Sequence, residues 1–213
     1  MKNNLFPISN NGLKYILYTF LASFVFSLFD FDTFTFFSFV TIFVLVFLFR
    51  NPEREISIFD AGSVVSPVDG KVVDIEELSD SEYGYKVVVE STYLDIGVLR
   101  APCDGYITQV SIKNGSRLSF STPTAKALNA QIELIFKHEK HNQIKVKHII
   151  AQSFAPLALT VFQSQSIRQS SRYGFMLHGF TEIYIPKNFR LNINTGSKIK
   201  ASQSLLGFFI AIP

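Results

Sequence analysis

The sequence predicts a mainly β protein, a compact barrel- or sandwich-like domain behind an N-terminal two-helix membrane hairpin. Two observations predict this class. Of the 23 phenylalanines in the 213-residue chain, 13 lie in the first 49 positions. The rest of the chain consists mainly of short β-branched or aromatic runs bounded by turn residues, the pattern of strands. We therefore divide the chain into a membrane hairpin, residues 1–50, and a β domain, residues 51–213.

Composition excludes several classes of protein. Charged residues make up 17% of the chain and the net charge is +3, spread almost evenly over its length. No concentrated basic face is visible, so we expect no nucleic-acid partner. Disordered chains combine low hydrophobicity with high net charge, and neither is present. The single cysteine, Cys103, excludes an internal disulfide framework.

The hairpin consists of two uncharged apolar stretches, residues 15–29 and 33–49, joined by a short acidic tip. A membrane-spanning helix needs about 20 apolar residues. The second stretch comes close to that length, and the first does so only with its flanks included. Three arrangements remain open: two spanning helices, one span preceded by an interfacial helix, and a shallow re-entrant hairpin.

Charges at the ends of the hairpin predict its orientation. Lys2 and Lys14 precede the apolar pair, Arg50 and Arg54 follow it, and the tip carries no basic residue. Basic residues flanking membrane segments stay on the cytoplasmic side. We therefore expect location at the inner cell membrane, with the C-terminal domain on the cytoplasmic side.

Seven runs in residues 51–213 have the composition of strands, and turn residues separate most of them. They cover residues 64–65, 71–75, 85–89, 107–112, 132–136, 144–149 and 181–185. Residues 153–162 are the one segment where the pattern favours a short helix. Many short strands and few helices are typical of a β-barrel or sandwich.

Two turns in the β domain echo each other. Residues 66–72 read SPVDGKV and residues 101–107 read APCDGYI, so each is a Pro-x-Asp-Gly turn entering a strand. The glycine of such a turn, Gly70 or Gly105, is free to adopt positive φ. Residues 195–201 (TGSKIKA) indicate a further tight turn.

The order of these motifs resembles the short, membrane-anchored phosphatidylserine decarboxylases. The phrases that carry the resemblance are FRNPER (49–54), SPVDGKV (66–72), RAPCDG (100–105), YGFMLHG (173–179), EIYIP (182–186) and Gly196. Each phrase alone is weak, but their order and spacing extend over nearly the whole chain.

The resemblance implies an unusual chemistry. Proenzymes of this family cleave themselves at a Gly-Ser bond, and the serine becomes a pyruvoyl group at the new N-terminus. That ketone forms a Schiff base with the amine of phosphatidylserine and accepts the electrons released with carbon dioxide. The family therefore needs no external cofactor, and we expect none here. An Asp in the first Pro-x-Asp-Gly turn and a His upstream of the second assist the serine.

The processing residues are only partly retained. Asp69 occupies the family's Asp position in the first turn, and Arg100 keeps the Arg that follows the family's His. The His itself falls on Gly97, which cannot move a proton. Asp69 is thus the one catalytic residue that the resemblance leaves in place.

The cleavage serine is missing. The remnant cleavage site reads Gly179-Phe180-Thr181: alignment from one side places Phe180 on the serine, and alignment from the other leaves the serine deleted. Thr181 carries a β-hydroxyl and would yield a 2-oxobutanoyl group, but it lies one residue late. Ser116 and Ser197 also follow glycine, and both belong to other turns of the family.

Two residues are candidates for binding a lipid head group: Arg100, which keeps the Arg after the family's His, and His178, which precedes Gly179 in the remnant site. A metal site is not expected. Residues 138–141 read HEKH, one residue short of the spacing that places two histidines on one helical face. We interpret this segment as a solvated hairpin turn.

Three functions follow from the sequence. The first is a membrane protein of phospholipid metabolism, related to phosphatidylserine decarboxylase but unable to form its pyruvoyl group and inactive, which binds anionic phospholipid or a partner enzyme. The second is an active decarboxylase, converting phosphatidylserine to phosphatidylethanolamine and CO₂, that matures atypically. The third is a membrane scaffold without a lipid role. A homo-oligomer is compatible with each.

Overall fold

The computed structural model describes residues 6–55, 59, 62–79, 81–120, 122–138 and 142–210. The chain divides into two compact units, residues 1–53 and 54–213. The helices are α1 (Asn10–Leu28), α2 (Asp32–Leu48) and α3 (Pro123–Leu128). The strands are β1 (Ser63–Val65), β2 (Gly70–Glu77), β3 (Tyr83–Ser91), β4 (Val98–Arg100), β5 (Gly105–Lys113), β6 (Gln131–Lys137), β7 (Gln143–Ile150), β8 (Ala158–Leu159), β9 (Ser166–Ile167), β10 (Arg172–Phe175), β11 (Gly179–Pro186), β12 (Phe189–Leu191), β13 (Lys198–Ile199) and β14 (Leu205–Phe209).

The N-terminal unit is a pair of antiparallel helices. Ser9 caps α1, and its hydroxyl oxygen accepts a hydrogen bond from the backbone N–H of Asn11 (3.4 Å). Gly12 allows the helix to pack on the fully buried ring of Phe49, because a Cβ at Gly12 would lie within 3.0 Å of that ring. Asp30 lies between the helices at the tip of the hairpin, and Asp32, the other acidic residue of the tip, is the first residue of α2.

The sequence predicted a membrane hairpin at this position. A helical hairpin is present, but none of the helices in the described part of the chain has the length and apolar character required to cross a membrane.

The second unit is built from three antiparallel sheets. The largest has eight strands in the order β13-β2-β3-β11-β7-β6-β5-β9. The smaller sheets have the orders β1-β14-β12 and β4-β10-β8. The predicted mainly β class is confirmed. Of the two arrangements that the sequence left open, barrel or sandwich, a closed barrel does not form among the described strands, since β13 and β9 end the large sheet and are not paired with each other.

All seven strands predicted from the sequence are present. The helix predicted over residues 153–162 is wrong, because Pro156 interrupts that segment and only the two-residue strand β8 forms there. A proline inside a helix removes a hydrogen bond and clashes with the preceding turn. The helix that does form, α3, begins at a Thr-Pro signal: the hydroxyl of Thr122 accepts a hydrogen bond from the backbone N–H of Ala125 (3.2 Å).

The glycines of the two matching turns have the predicted role. Gly70 begins β2 and Gly105 begins β5, both at positive φ. A Cβ at either position would lie within 3.0 Å of a backbone carbonyl on the neighbouring strand, that of Glu90 or Lys137. Glycine is therefore required both for the backbone conformation and for the close approach of the strands.

We expect Gly105→Ala to destabilise the chain more than Gly196→Ala. Both glycines have positive φ, but a Cβ at Gly196 meets open space, whereas at Gly105 it meets the carbonyl of Lys137. Conformational strain alone costs about 1–2 kcal/mol, and the added clash should bring Gly105→Ala to about 3 kcal/mol. Urea unfolding of the full chain measures both free energies. Equal losses of unfolding free energy in the two variants would show that the close contact with the neighbouring strand adds nothing to the cost of Gly105→Ala.

Candidate functional site

Three segments that are far apart in the sequence meet beside the start of β11. Ser91 pairs with Gly179 in the β3–β11 ladder, and its hydroxyl donates a hydrogen bond to the carbonyl of Asp69 (2.5 Å). The backbone N–H of Met176 donates to the carbonyl of Gly97 (2.8 Å). The structure thus brings together Asp69, Gly97 and Gly179, the three positions that the sequence associated with processing.

The carboxylate of Asp69 is engaged in a buried ion pair. Arg54 donates to both of its oxygens, at 2.6 and 2.5 Å, and the backbone N–H of Ala201 donates to one of them at 2.8 Å. Arg54 also donates to the carbonyl of Ala201 (2.7 Å). Removal of one partner of a buried pair costs about 3–5 kcal/mol, because a charge is left uncompensated. Asp69 is therefore a structural anchor whose negative charge is already neutralised.

Close packing leaves no room for a side chain at Gly97, the position of the missing histidine. Gly97 is buried, and a Cβ there would lie 2.8 Å from the carbonyl oxygen of Met176 and 2.9 Å from the ring of Phe175. Cβ atoms do not come this close to their neighbours in proteins. An imidazole at this position would displace the segment that leads into β11.

The remnant cleavage site forms the first three residues of β11. A Cβ on Gly179 would lie within 3.0 Å of the carbonyl oxygen of Ile149. Only glycine therefore fits at this position of the strand. Phe180 is half-buried, and its ring centroid lies 4.3 Å from that of Phe120. Thr181 is fully buried and paired on both sides, with Val89 of β3 and with β7.

Thr181 belongs to a buried hydrogen-bonded chain. Its hydroxyl lies 2.8 Å from Nδ1 of His148, and Nε2 of His148 lies 2.6 Å from the hydroxyl of Tyr173. All three side chains are fully buried. Thr181 and His148 belong to the eight-stranded sheet, while Tyr173 lies on β10 of a smaller sheet. This hydrogen-bonded series of Thr181, His148 and Tyr173 therefore links two sheets across the core.

Burial determines the protonation state of this histidine. Desolvation lowers the pKa of His148 from 6.5 to about 3 and raises that of Tyr173 well above 10. A neutral imidazole donates at one nitrogen and accepts at the other, so either tautomer satisfies both hydroxyls. A group with a pKa near 3 is a weak general base at neutral pH.

Sequence reasoning missed the roles of His148 and Tyr173. A signal for His148 was present, because Ile144 and Val146 precede it at period two and face the core. The partner of Asp69 was also missed, although Arg54 stands in one of the motifs. Nothing local in the sequence connects Arg54 with a carboxylate 15 residues away.

The two candidate head-group residues lie in different environments. Arg100 is buried, and its guanidinium donates to the carbonyl of Ser170 (3.3 Å). His178 is partly exposed; its Nδ1 lies 2.8 Å from the carbonyl oxygen of Ala151, and its ring stacks on Tyr93 with a 5.0 Å centroid separation. Of the two, only His178 is presented towards solvent.

The other reactive side chains among the described residues form no further candidate site. Burial raises the pKa of the Cys103 thiol to about 12, so this cysteine is not a thiolate at neutral pH. Across the residues that the structure describes, no group of three His, Cys, Asp or Glu converges as metal ligands would. In the predicted turn at 138–141, Nδ1 of His138 contacts the carbonyl of Asp104 (2.8 Å), and residues 139–141 lie outside the described residues.

Comparison with known proteins agrees with the arrangement of these motifs. The family model described as phosphatidylserine decarboxylase matches residues 40–207. The phosphatidylserine decarboxylase proenzyme of Nitrosomonas eutropha is 28% identical over 174 residues, 80% of this chain and 80% of that protein. That of Geotalea uraniireducens is 28% identical over 216 residues, covering 97% and 99%. A putative archaetidylserine decarboxylase proenzyme of Methanosarcina acetivorans is 27% identical over 165 residues, covering 77% and 74%.

Stability should fall as the pH falls below 6.5, because unfolded His148 binds a proton that the folded chain does not bind until about pH 3. Between pH 7 and 5 this histidine alone should remove about 2 kcal/mol. His148→Gln should make the fall shallower in urea unfolding. In the folded wild type, the His148 imidazole resonance should not titrate between pH 5 and 8. A midpoint near 6.5 would contradict the buried neutral state.

Proposed function

Since the chain belongs to the phosphatidylserine decarboxylase family, we propose that it is a member that does not form the pyruvoyl group and has no decarboxylase activity. One observation carries this proposal. The first β-hydroxyl after Gly179 is that of Thr181, which is fully buried between two paired strands and bonded to His148. The remnant site therefore offers no exposed group from which the ketone could form.

The residues around the remnant site do not fit a pyruvoyl group. A substrate amine must reach the ketone, but the position of Thr181 is enclosed by β3 and β7 and faces the core. The carboxylate of Asp69 is held by Arg54, and Gly97 offers neither a base nor the space for one.

Intact-mass measurement of the purified full chain should give a single species near 24.1 kDa. The chain should also release no CO₂ from phosphatidylserine in detergent micelles. The Nitrosomonas eutropha proenzyme, expressed in parallel, is the control for processing and activity. Two fragments from cleavage at Phe180–Thr181, or at the Gly-Ser bonds 62–63, 115–116 or 196–197, together with CO₂ release, would contradict the proposal.

We expect Phe180→Ser, which restores a Gly-Ser bond at the remnant site, to leave the chain uncut. The new hydroxyl would have no base, because Asp69 is neutralised by Arg54 and Gly97 replaces the histidine. Adding Gly97→His should lower stability without cleavage, since its Cβ meets the carbonyl of Met176. Intact mass after prolonged incubation tests both variants. Cleavage of Phe180→Ser alone would show that only the serine had been lost.

A second function, that of an active decarboxylase matured atypically, has one observation in its favour. The hydroxyl of Thr181 lies 2.8 Å from Nδ1 of His148, a separation at which a base can accept a proton from a nucleophile. Such maturation would cut the Phe180–Thr181 bond and leave a blocked 2-oxobutanoyl terminus. Thr181→Val and Thr181→Ser distinguish the two functions: under this alternative the first abolishes the cut and the second accelerates it.

We further propose that the hairpin associates with the inner cell membrane and that the β domain lies on its cytoplasmic side, where the protein binds anionic phospholipid or a partner protein. Both helices support this, because they carry many exposed phenylalanines, among them Phe24, Phe36 and Phe43. Soluble monomers rarely expose apolar patches of this extent. Binding of a helix at the membrane interface strengthens with the apolar area that it buries there.

The triple variant Phe24→Ser, Phe36→Ser, Phe43→Ser should reduce vesicle binding of the full chain at least tenfold, because each buried phenylalanine contributes about 1.5–3 kcal/mol. Vesicle flotation on phosphatidylcholine measures the bound fraction. The control is Leu94→Ser, Leu128→Ser, Phe162→Ser, three comparably exposed apolar residues of the β domain. Equal loss in both triple variants would argue against the hairpin as the membrane contact.

A further inference from the structure

Three exposed lysines cluster at one edge of the eight-stranded sheet. Lys71 lies on β2, Lys198 lies directly opposite it on the edge strand β13, and Lys200 follows two residues later. We call these three residues the basic edge. The residues between and beside them, Val72 and Ile199, are buried, so the lysines project from the outer face.

This arrangement is unfavourable for the isolated domain. Like charges directly opposite each other on paired strands are destabilising. Glu90 lies opposite Lys71 on β3, yet none of the ion pairs in the described part of the chain involves a lysine of the basic edge. The three ammonium groups are exposed and form no ion pair among the described residues, so even with the carboxylate of Glu90 nearby the basic edge carries a net positive charge.

Protection of the sheet edge does not explain the whole cluster. Lysines on an edge strand prevent pairing with other chains, which would account for Lys198 on β13. Lys71, however, lies on β2, which is already paired on both sides by β13 and β3. A ligand with negative charge explains all three residues together.

We infer that the basic edge binds the anionic head groups of a lipid surface. This inference rests on the proposed membrane association and identifies the surface of the β domain that takes part in it. Charge complementarity is the first argument, since each lysine close to an anionic leaflet strengthens binding about fivefold. The inference assigns this role to residues other than Arg100, which is buried, and His178.

Position in the chain is the second argument. The guanidinium of Arg54 donates to the carbonyl of Ala201, the residue next to Lys200. In the sequence, Arg54 follows the last residue of α2 by six positions. Six extended residues cover at most about 20 Å, so anchoring of the hairpin keeps the basic edge on a short tether from the lipid surface.

The test compares binding of the full chain to three kinds of vesicle. These are phosphatidylcholine alone and phosphatidylcholine with about 30% of either phosphatidylserine or phosphatidylglycerol. The wild type should bind both anionic vesicles about 100-fold more tightly than the neutral vesicle. About 0.5 M salt should remove most of this gain, since it shortens the screening length to about 4 Å, roughly half of its value at 0.15 M salt. The triple variant Lys71→Gln, Lys198→Gln, Lys200→Gln should lose the gain and keep the neutral binding.

A matched control changes the same net charge elsewhere. Lys113→Gln, Lys137→Gln, Lys187→Gln alters lysines at the ends of β5 and β6 and after β11, and it should retain the gain. If both triple variants lose the preference for anionic vesicles equally, the net charge of the protein and not the basic edge is responsible, and the inference is overturned. A gain with phosphatidylserine but not with phosphatidylglycerol would overturn it in favour of a head-group pocket.

A measurement on the wild type avoids dependence on folding of the variants. Anionic vesicles should protect Lys71, Lys198 and Lys200 from an amine-acetylating reagent, read by peptide mass, and should not protect Lys113 or Lys137. Uniform labelling with vesicles bound would overturn the inference while leaving the membrane association intact. Absence of binding to every vesicle would overturn both.

Discussion

The register of β11 is the constraint on which the arrangement of the site depends. Thr181 faces the core, where His148 links it to Tyr173 across two sheets. A shift of one residue would move every side chain of the strand to the opposite face. Phe180 would then enter the core, and the hydrogen bonds between Thr181, His148 and Tyr173 would be lost. The same register places Gly179 against the carbonyl of Ile149, a contact that admits no side chain. Hydrogen bonds and close packing therefore fix these residues together.

The segments associated with processing have structural roles in this chain. The carboxylate of Asp69 joins Arg54 and the Ala201 amide, so it ties the start of the domain to a turn near its end. Gly97 allows the close approach of the segment that precedes β11. Under the proposed inactivity, these roles explain how the fold persists without the chemistry, since a fold and the activity placed on it are separable. In the proposed inactive protein, the positions that the family uses for proton transfer serve in packing and ion pairing.

Sequence patterns predicted the longer strands well and the short ones poorly. Runs of five or more residues carry a clear signal. Of the strands with two or three residues, only β1 was predicted, from its pair of valines, because so few residues show no period-two alternation. The helix predicted over residues 153–162 overlooked Pro156, and the Thr-Pro start of α3 was not recognised. The order of motifs singled out Asp69 and Gly179, which Ser91 connects in the structure. It did not identify Arg54 or His148, because their partners are determined by long-range strand pairing.

The sequence by itself determined the family, the mainly β class, the position of the helical hairpin and the absence of a serine after Gly179. These depend on residue identity, local periodicity and turn chemistry, which a chain carries before it folds. Only the tertiary structure decided that the large sheet stays open, that Asp69 is neutralised and that Thr181 is enclosed. The physical reason is that burial, charge pairing and steric closeness arise between segments brought together by folding. The chemistry available to a side chain depends on those neighbours as much as on its type.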